Sequence, residues 1–317
     1  MKKRHLAIIL IILSCISVFI GVDDIKFSDL ITFNQGKIEV FFISRVPRLI
    51  SILVAGLGMS ICGLIMQQIS RNKFVSPTTG ATIDSAQLGL VITMIAIPEV
   101  GITGKMIIPF IFALGGTFMF MKILRTLKVK NAVFVPLVGI MFGNIIGAAT
   151  TFIGYKYNIM QDVTSWMQGN FSMIIKGNYE MLYITIPLIV LAYLYANKFT
   201  IAGMGEDFAT NLGLDYNKVV NIGLTIVAVV TVSVVITVGS IPFIGLIVPN
   251  IVSMYKGDNL RECIWHTGLF GAIFVLICDI FSRVIIYPYE IPIGLTVGVI
   301  GSILFLTMTL RRTNYAK

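Results

Sequence analysis

Apolar segments of about twenty residues recur along the whole chain, and they limit what it can fold into. The clearest runs from 49 to 69, after Arg45, Pro47 and Arg48, and ends in a polar turn before Pro77. A helix rises about 1.5 Å per residue, so about 20 residues cross the ~30 Å hydrocarbon core of a bilayer. Because lipid leaves backbone polar groups no other partners, repeated runs of this length predict an all-α, polytopic membrane protein.

Composition supports this class and excludes several others. Of the 317 residues, 56% are hydrophobic and 12% charged, whereas a soluble domain has about 25% charged residues. No loop is long enough for a soluble domain, so we expect one transmembrane domain over residues 1–317. The net charge of +9 comes from basic residues scattered in short loops without an aromatic patch, a pattern that excludes nucleic-acid binding.

The hydropathy pattern predicts about ten membrane spans with both termini in the cytoplasm. Lysine and arginine are more frequent in the loops that this orientation places inside, as the positive-inside rule requires. The basic start and the first apolar run resemble a secretory signal, but we expect them to remain as the first span. The predicted spans are 6–22, 47–70, 85–97, 106–124, 133–155, 180–196, 219–238, 244–255, 265–286 and 291–310, of which the third and eighth are short.

Residues suited to catalysis or to ion coupling are scarce. The chain has two histidines in unrelated positions and no GxxxxGK[ST] phosphate-binding loop, and Asp279 is the main ionisable residue inside a predicted span. A transporter that uses an ion gradient usually carries ionisable groups within the membrane. We therefore expect no metal or cofactor and an ATPase partner that supplies the energy. A gradient-driven secondary transporter is the alternative from another class, and an intramembrane enzyme is a weaker one.

Three polar regions are candidates for contacts with other molecules. Arg45, Arg48 and Arg283 lie at predicted external mouths of the spans, where guanidinium groups can bind carboxylates of a partner or simply reach the lipid interface. The turns at 72–77 and 130–133 lie at one predicted depth on the cytoplasmic side, where they can close a pathway between packed spans.

The third region is the predicted cytoplasmic loop at 203–214, which has the pattern of two short helices meeting at a glycine. Its apolar side chains are flanked by acidic ones, which suits a docking element for another protein, although a plain connector is the alternative. The residues concerned are Gly203, Gly205, Glu206, Asp207, Phe208, Leu212 and Gly213.

Six segments in this order resemble the FecCD-type permeases, the membrane subunits of ABC importers for ferric siderophores, haem and vitamin B12. The likeness extends over essentially the whole chain, and within the family it is greatest to the petrobactin- and catecholate-type siderophore permeases of Gram-positive bacteria. The segments are SRVPR, GLIMQQISRNKFVSPTTG, GMGEDFATNLGL, GSIPFIGLIVPNIV, ICDIFSR and YEIPIGLTVGVIGSILFLTMTLRR.

The resemblance implies a type II ABC importer permease that carries a ferric siderophore across the cell membrane, with haem or cobalamin as alternative cargoes. It implies a second permease subunit, identical or different, two copies of a cytoplasmic ABC ATPase and an extracellular lipid-anchored binding protein. By the same resemblance, Arg45, Arg48 and Arg283 pair with glutamates of the binding protein, and the 203–214 loop contacts the ATPase. The implied cytoplasmic gate consists of Asn72, Phe74, Asn131, Ala132 and Val133.

This chain departs from the family pattern at two points. The usual RNPLADP is replaced by RNKFVSP at 71–77, which changes the implied gate. The usual Val-Pro-His is replaced by Val248, Pro249 and Asn250, so a histidine of the family is missing here.

Overall fold

The computed structural model describes residues 3–21, 35–79, 81–126 and 134–315, and most of these residues are helical. No β-strand occurs in these ranges apart from a single bridge pair between Gln168 and Ser240. The α-helices of these ranges are α1 (Lys3–Phe19), α2 (Gln35–Val40), α3 (Val46–Ile69), α4 (Thr82–Ala96), α5 (Ile102–Thr126), α6 (Phe134–Lys156), α7 (Met160–Met167), α8 (Thr185–Ala202), α9 (Glu206–Asn211), α10 (Tyr216–Val238), α11 (Ile244–Lys256), α12 (Leu260–Val284) and α13 (Ile293–Tyr315).

Within the described part of the chain, seven helical segments are long and apolar enough to cross a membrane. They contain α3, α5, α6, α8, α10, α12 and α13. Helices α1, α4 and α11, of 17, 15 and 13 residues, lie at the remaining three predicted spans. The prediction that the third and eighth spans are short agrees with the lengths of α4 and α11.

The structure bears out one predicted boundary and corrects another. The sixth span was expected to begin at residue 180, and the apolar helical segment does begin at Glu180, where a 3-10 turn at Glu180–Ile184 leads into α8. The carboxylate of Glu180 accepts backbone hydrogen bonds from Gly177 and Tyr179, at 2.7 and 3.0 Å, which fixes this tight start. Before the predicted start of the second span at Pro47, helix α2 and a π-helix at Phe41–Arg45 lead directly into α3. The backbone N–H of Val46 donates to the carbonyl of Phe41, so the wider π hydrogen-bond pattern directly precedes the proline that lacks a donor.

Helix α3 is the centre of the bundle. In the helical segment that contains it, 72% of an 18-residue apolar stretch is buried inside the protein. It packs against α8, α10, α11 and α12. Glycines allow the closest of these contacts: a β-carbon at Gly56 would lie 2.8 Å from the Cα of Ala272, and one at Gly63 would overlap the carbonyl of Gly245. Main chain therefore meets main chain where α3 contacts α12 and α11, as small residues permit in membrane helices.

Helices α6 and α13 lie at the periphery, and in each of them only 22% of an 18-residue apolar stretch is buried. Their outward side chains are large and apolar, including Ile145 and Phe152 on α6 and Val299 and Leu306 on α13. These two helices therefore present surfaces that suit lipid or another protein chain.

The polar segments collect at the two ends of the bundle. At the end that we call the arginine end, the start of α3 meets the ends of α1 and α12 and the turn before α13. At the opposite end, which we call the loop end, the segment after α3 meets the end of α11 and the turn before α12. The same loop end carries α9 and the connection from α8 to α10.

Candidate functional site

Four charged side chains join three parts of the chain at the arginine end, and we call them the charge cluster: Arg48, Asp279, Arg283 and Glu290. Arg48 lies in the first turn of α3, and its Nη2 is 2.9 Å from Oδ1 of Asp279 on α12. The Nη1 of Arg48 is 2.8 and 3.0 Å from the two carboxylate oxygens of Glu290, in the turn between α12 and α13. Asp279 also pairs with Arg283, one helical turn further along α12.

Arg283 does not lie at an exposed rim, as the sequence analysis expected, because only 3% of its surface is accessible. Its Nη1 donates to the backbone carbonyls of Ser17 and Ile20 at 2.9 and 2.7 Å, and its Nη2 donates to the hydroxyl of Ser17. The last carbonyls of a helix have no partner within the helix, and a cation there also interacts favourably with the helix dipole. Arg283 therefore caps the end of α1.

Arg45 reaches the same helix end as Arg283. It is half-buried at the end of the π-helix and donates a hydrogen bond to the carbonyl of Ile20. The structure thus brings the three predicted arginines together at one end of the bundle, but it engages each of them with groups of this chain. The predicted pairing with glutamates of a partner stays a prediction.

The charge cluster is largely buried, so each of its charged side chains needs a partner of opposite charge. Asp279 is fully buried, and the side chain of Arg48 is 11% exposed, whereas that of Glu290 is 22% exposed. Two guanidinium groups and two carboxylates balance in charge, and such a set is stable only while each member keeps its partners. Among the described residues, the Nε of Arg48 has no hydrogen-bond partner, so the donors of this guanidinium are not all used.

Large exposed side chains surround the charge cluster at the arginine end. Tyr287 and Tyr289 are 62% and 75% exposed in the turn that carries Glu290, and Phe42 is 60% exposed in the π-helix that leads to Arg48. Aromatic side chains are enriched in protein interfaces and also in the interfacial belts of membrane proteins. This surface therefore combines partly accessible charge with apolar area.

At the loop end, two glycines shape the connection between α8 and α10. Gly205 has a φ of +122° directly before α9, and Gly213 has a φ of +76° two residues after the helix ends. Positive φ values favour glycine. The backbone N–H of Leu214 donates to the carbonyl of Ala209 at 3.0 Å, in the closing pattern common at helix ends with a left-handed glycine. The structure therefore has one short helix with a glycine on each side, and not the predicted two short helices that meet at a glycine, because the helix after Gly213 is the long α10.

Helix α9 has one buried and one exposed apolar side. Ala209 is fully buried, whereas Phe208 is 47% and Leu212 is 60% exposed. Glu206 and Asp207, in the first turn of α9, are both exposed. A short helix held by α8, with protruding apolar side chains and acids beside them, has the features of a docking element.

The segment that follows α3 contacts the connection around α9. A β-carbon at Gly203 would lie 2.8 Å from the side-chain Cδ of Gln68, and one at Gly205 would lie 3.2 Å from a guanidinium nitrogen of Arg71. The last turn of the central helix therefore lies against the loop that was predicted to contact an ATPase.

Residues 72–77, which we call the gate segment, are held by three parts of the chain. The Oδ1 of Asn72 accepts the backbone N–H of Phe74 at 2.9 Å, which fixes a local turn. Asn250 of α11 donates to the carbonyl of Lys73 at 2.8 Å, and Lys73 pairs with Asp258 in the turn before α12. Asn250, which stands where the resemblance implied a histidine, therefore anchors the gate segment.

Phe74 is 55% exposed and lies against α13. Its ring is 6.0 Å from that of Phe305, edge to face, and Phe305 is 6.4 Å from Phe243 at the start of α11. The other part of the predicted gate, at Asn131, Ala132 and Val133, lies outside the described residues.

Sequence reasoning did not identify several residues that hold these sites together. They include Glu290 at the charge cluster, and Asn250, Asp258 and Phe305 around the gate segment. Glu290 is 242 residues from Arg48 in the sequence. A lone glutamate between Tyr289 and Ile291 gives some signal, because a carboxylate beside apolar segments needs a partner. No set of three or more His, Cys, Asp or Glu side chains suited to a metal occurs among the described residues.

The fold and the buried charge define a polytopic α-helical membrane protein. A model of the FecCD transport family matches residues 9–311. The petrobactin import system permease protein YclN of Bacillus subtilis (strain 168) is 58% identical over 316 residues, which is 100% of both chains. The petrobactin import system permease protein FatD of Bacillus anthracis is 39% identical and covers 96% of this chain and 90% of its own.

A solved structure of a proposed metal-chelate type ABC transporter, in an inward-facing conformation, has the same fold. It matches with a TM-score of 0.84 and 21% identity over 98% of each chain. The chain belongs to the FecCD transport family, and like other members it is a multi-pass membrane protein.

Proposed function

We propose that this chain is the permease subunit of an ATP-driven ABC importer that carries a ferric siderophore of the petrobactin type into the cytoplasm. The observation that carries the proposal is the 58% identity to a petrobactin import permease over the full length of both chains. A second petrobactin import permease at 39% identity supports the same cargo. Haem and cobalamin importers belong to the same type of transporter, and no specific observation favours them here.

In the proposed topology, all ten predicted spans cross the membrane as one domain, and both termini lie in the cytoplasm. The loop end then faces the cytoplasm and the arginine end faces outward. Basic residues near the loop end support this orientation, because cytoplasmic loops retain positive charge. They include Arg71, Lys73, Lys198, Lys218 and Lys256.

The proposed partners follow from the surfaces at each end and around the bundle. A second permease subunit, identical or different, covers the exposed faces of α6 and α13, and lipid surrounds the rest. Two cytoplasmic ABC ATPases contact the connection around α9, where Phe208 and Leu212 protrude. An extracellular lipid-anchored binding protein docks at the arginine end through carboxylates directed at Arg45 and Arg48. The buried Arg283 supports this surface from below by holding Asp279.

In this mechanism the permease makes and breaks no covalent bond in its cargo and has no ATPase site of its own. Movement of the ATPases displaces α9, and Gln68 and Arg71 transmit this to the end of α3, since both lie beside Gly203 and Gly205. The gate segment follows α3 directly and rests against Phe305 of α13. A displacement of α3 or α13 therefore moves Asn72 and Phe74. The gate segment then switches between two discrete packed arrangements, one open and one closed.

The proposed function is tested by uptake into proteoliposomes that contain the permease, its ATPases and the binding protein. We expect ferric petrobactin labelled with radioactive iron to enter only when ATP, the ATPases and the binding protein are present. Uptake without ATP that a protonophore abolishes would instead establish a gradient-driven transporter. ATP-dependent uptake of haem or cobalamin, but of no ferric siderophore, would replace the cargo while keeping the class.

Replacing Leu212 with aspartate is expected to uncouple the ATPases from transport. Leu212 is 60% exposed, so the charge does not disturb the core, but it removes apolar area from the proposed contact. Burial of a leucine side chain is worth about 1.5–3 kcal/mol, so we expect uptake to fall by roughly tenfold or more. Uptake and ATP hydrolysis are measured in the same proteoliposomes.

Met173→Asp is the matched control for Leu212→Asp. Met173 is 75% exposed, and the neighbouring Lys176 contacts Ile43 near the arginine end, far from α9. We expect this variant to keep ATP hydrolysis and uptake coupled. Full coupling in Leu212→Asp would remove α9 from the proposed ATPase contact.

A further inference from the structure

We propose that Glu290 is an internal substitute for the partner's carboxylate: it occupies Arg48 in the free permease and is displaced when the binding protein docks. This inference rests on the proposed function, because it requires a docking partner that presents acidic side chains. In this role Glu290 competes with a carboxylate of the partner for Arg48. The predicted contacts of the arginines with a partner did not include such a competitor.

The two carboxylates on Arg48 differ in how easily they can leave. Asp279 is fully buried within α12, and it also pairs with Arg283, which caps α1. Displacing Asp279 would leave the buried Arg283 without a counter-ion, and breaking a buried pair in this way is strongly destabilising. Asp279 is therefore the permanent partner of Arg48.

Glu290 has the opposite properties. Its side chain is 22% exposed, it lies in a turn rather than a helix, and among the described residues its side chain bonds only to Arg48. Both of its oxygens lie on one nitrogen, Nη1, at 3.0 and 2.8 Å, so it does not use the two-nitrogen fork that favours bidentate binding. If Glu290 leaves, its charge turns toward water, and Arg48 keeps Asp279 and gains an accessible donor edge.

The surface around Glu290 fits a protein partner with acidic groups. Once Glu290 leaves, the remaining Arg48, Asp279 and Arg283 carry a net charge of one positive unit, from two guanidinium groups and one carboxylate. A carboxylate from outside restores the balance. The exposed Tyr287, Tyr289 and Phe42 around this point supply the apolar area that a protein interface needs.

Displacement of Glu290 also has a consequence within the permease. Glu290 lies three residues before Ile293, the first residue of α13. The backbone there also donates two hydrogen bonds to other parts of the chain, from Ile291 to the carbonyl of Ser282 at 3.1 Å and from Gly294 to that of Gly169 at 3.0 Å. The release of Glu290 thus removes the ion pair that links the start of α13 to α3. At its other end, α13 contacts the gate segment through Phe305 and Phe74. Docking is therefore communicated to the helix that borders the gate.

The test measures the affinity of the binding protein for purified permease in lipid nanodiscs. The probe is the soluble form of the binding protein of the Bacillus subtilis petrobactin import system, because YclN of that system is 58% identical to this chain. Glu290→Gln keeps the shape of the side chain and removes its charge, so we expect the Kd to fall by about tenfold. Combined with Arg48→Gln, the same change should have no effect, since the group for which the carboxylates compete is gone.

Glu99→Gln is the matched control, because Glu99 is an exposed carboxylate in the turn between α4 and α5 with no contact to the charge cluster. We expect its Kd to equal that of the unchanged permease. If the unchanged permease binds the probe and Arg48→Glu does not, docking at Arg48 is established. An unchanged or higher Kd in Glu290→Gln would then overturn the competition alone. If the unchanged permease does not bind the probe, the proposed docking at the arginine end is wrong, and the competition is wrong with it.

Discussion

Replacing Gly63 with alanine is expected to destabilise the permease by at least about 3 kcal/mol, the upper part of the range for overpacked cores. The added β-carbon would overlap the carbonyl group of Gly245 on α11. The overlapped atoms belong to the main chain of a buried helix, so they cannot rotate away as a flexible side chain can. Relief requires α3 and α11 to separate, and that loosens the whole contact between them.

The comparison for this prediction is Gly115→Ala in α5. A β-carbon at Gly115 meets no atom within 4 Å, and alanine is favoured over glycine in a helix by about 0.5–1 kcal/mol. We expect the melting temperature in detergent to fall by at least about 5 °C for Gly63→Ala and to stay equal or rise slightly for Gly115→Ala. Equal melting temperatures in the two variants would contradict the close contact of α3 with α11.

The second large effect is expected for Asp279→Asn. The change is nearly isosteric, but it leaves the guanidinium groups of Arg48 and Arg283 in the interior with only Glu290 as a counter-ion. Removing one partner of a buried ion pair costs about 3–5 kcal/mol, so we expect a large loss of folded protein and of thermal stability. The measurement is the yield and melting temperature of the purified variant.

Two further variants make this prediction specific. Asp258→Asn breaks the ion pair with Lys73, but Asp258 is 62% exposed, and exposed pairs contribute only about 0–1 kcal/mol. Asp279→Asn combined with Arg283→Gln also removes the guanidinium group that Asp279→Asn leaves without a counter-ion, and we expect it to be more stable than Asp279→Asn alone. If Asp279→Asn melts at the same temperature as Asp258→Asn, the charge cluster does not contribute to stability as described.

Much of the fold could be predicted from the sequence, because hydrophobic length determines where a helix can cross a membrane. The apolar runs located the long helices, and even the short α4 and α11 lie within a few residues of the predicted segments. The pattern at 203–214 also predicted a short helix beside a glycine, since the signal for such a turn is local, but it did not predict that the second helix would be the long α10.

The partners of charged residues could not be predicted in the same way. Arg48 and Arg283 were predicted to lie at an exposed rim because each borders an apolar run, yet their counter-ions are Asp279 and Glu290. Arg48 and Asp279 are 231 residues apart, and a single sequence contains no signal for a pairing over that separation. The same reason explains why the anchoring of the gate segment by Asn250 became visible only in three dimensions.

The backbone contacts at Gly56 and Gly63 have a consequence for how such a transporter moves. With no side chains between the main chains of α3, α11 and α12 at these points, there is nothing to repack, and sliding would open empty space. We therefore expect these three helices to turn together as one stiff spine. In the proposed transport cycle, the change of access then comes from hinges around that spine, at the lightly packed outer helices α6 and α13.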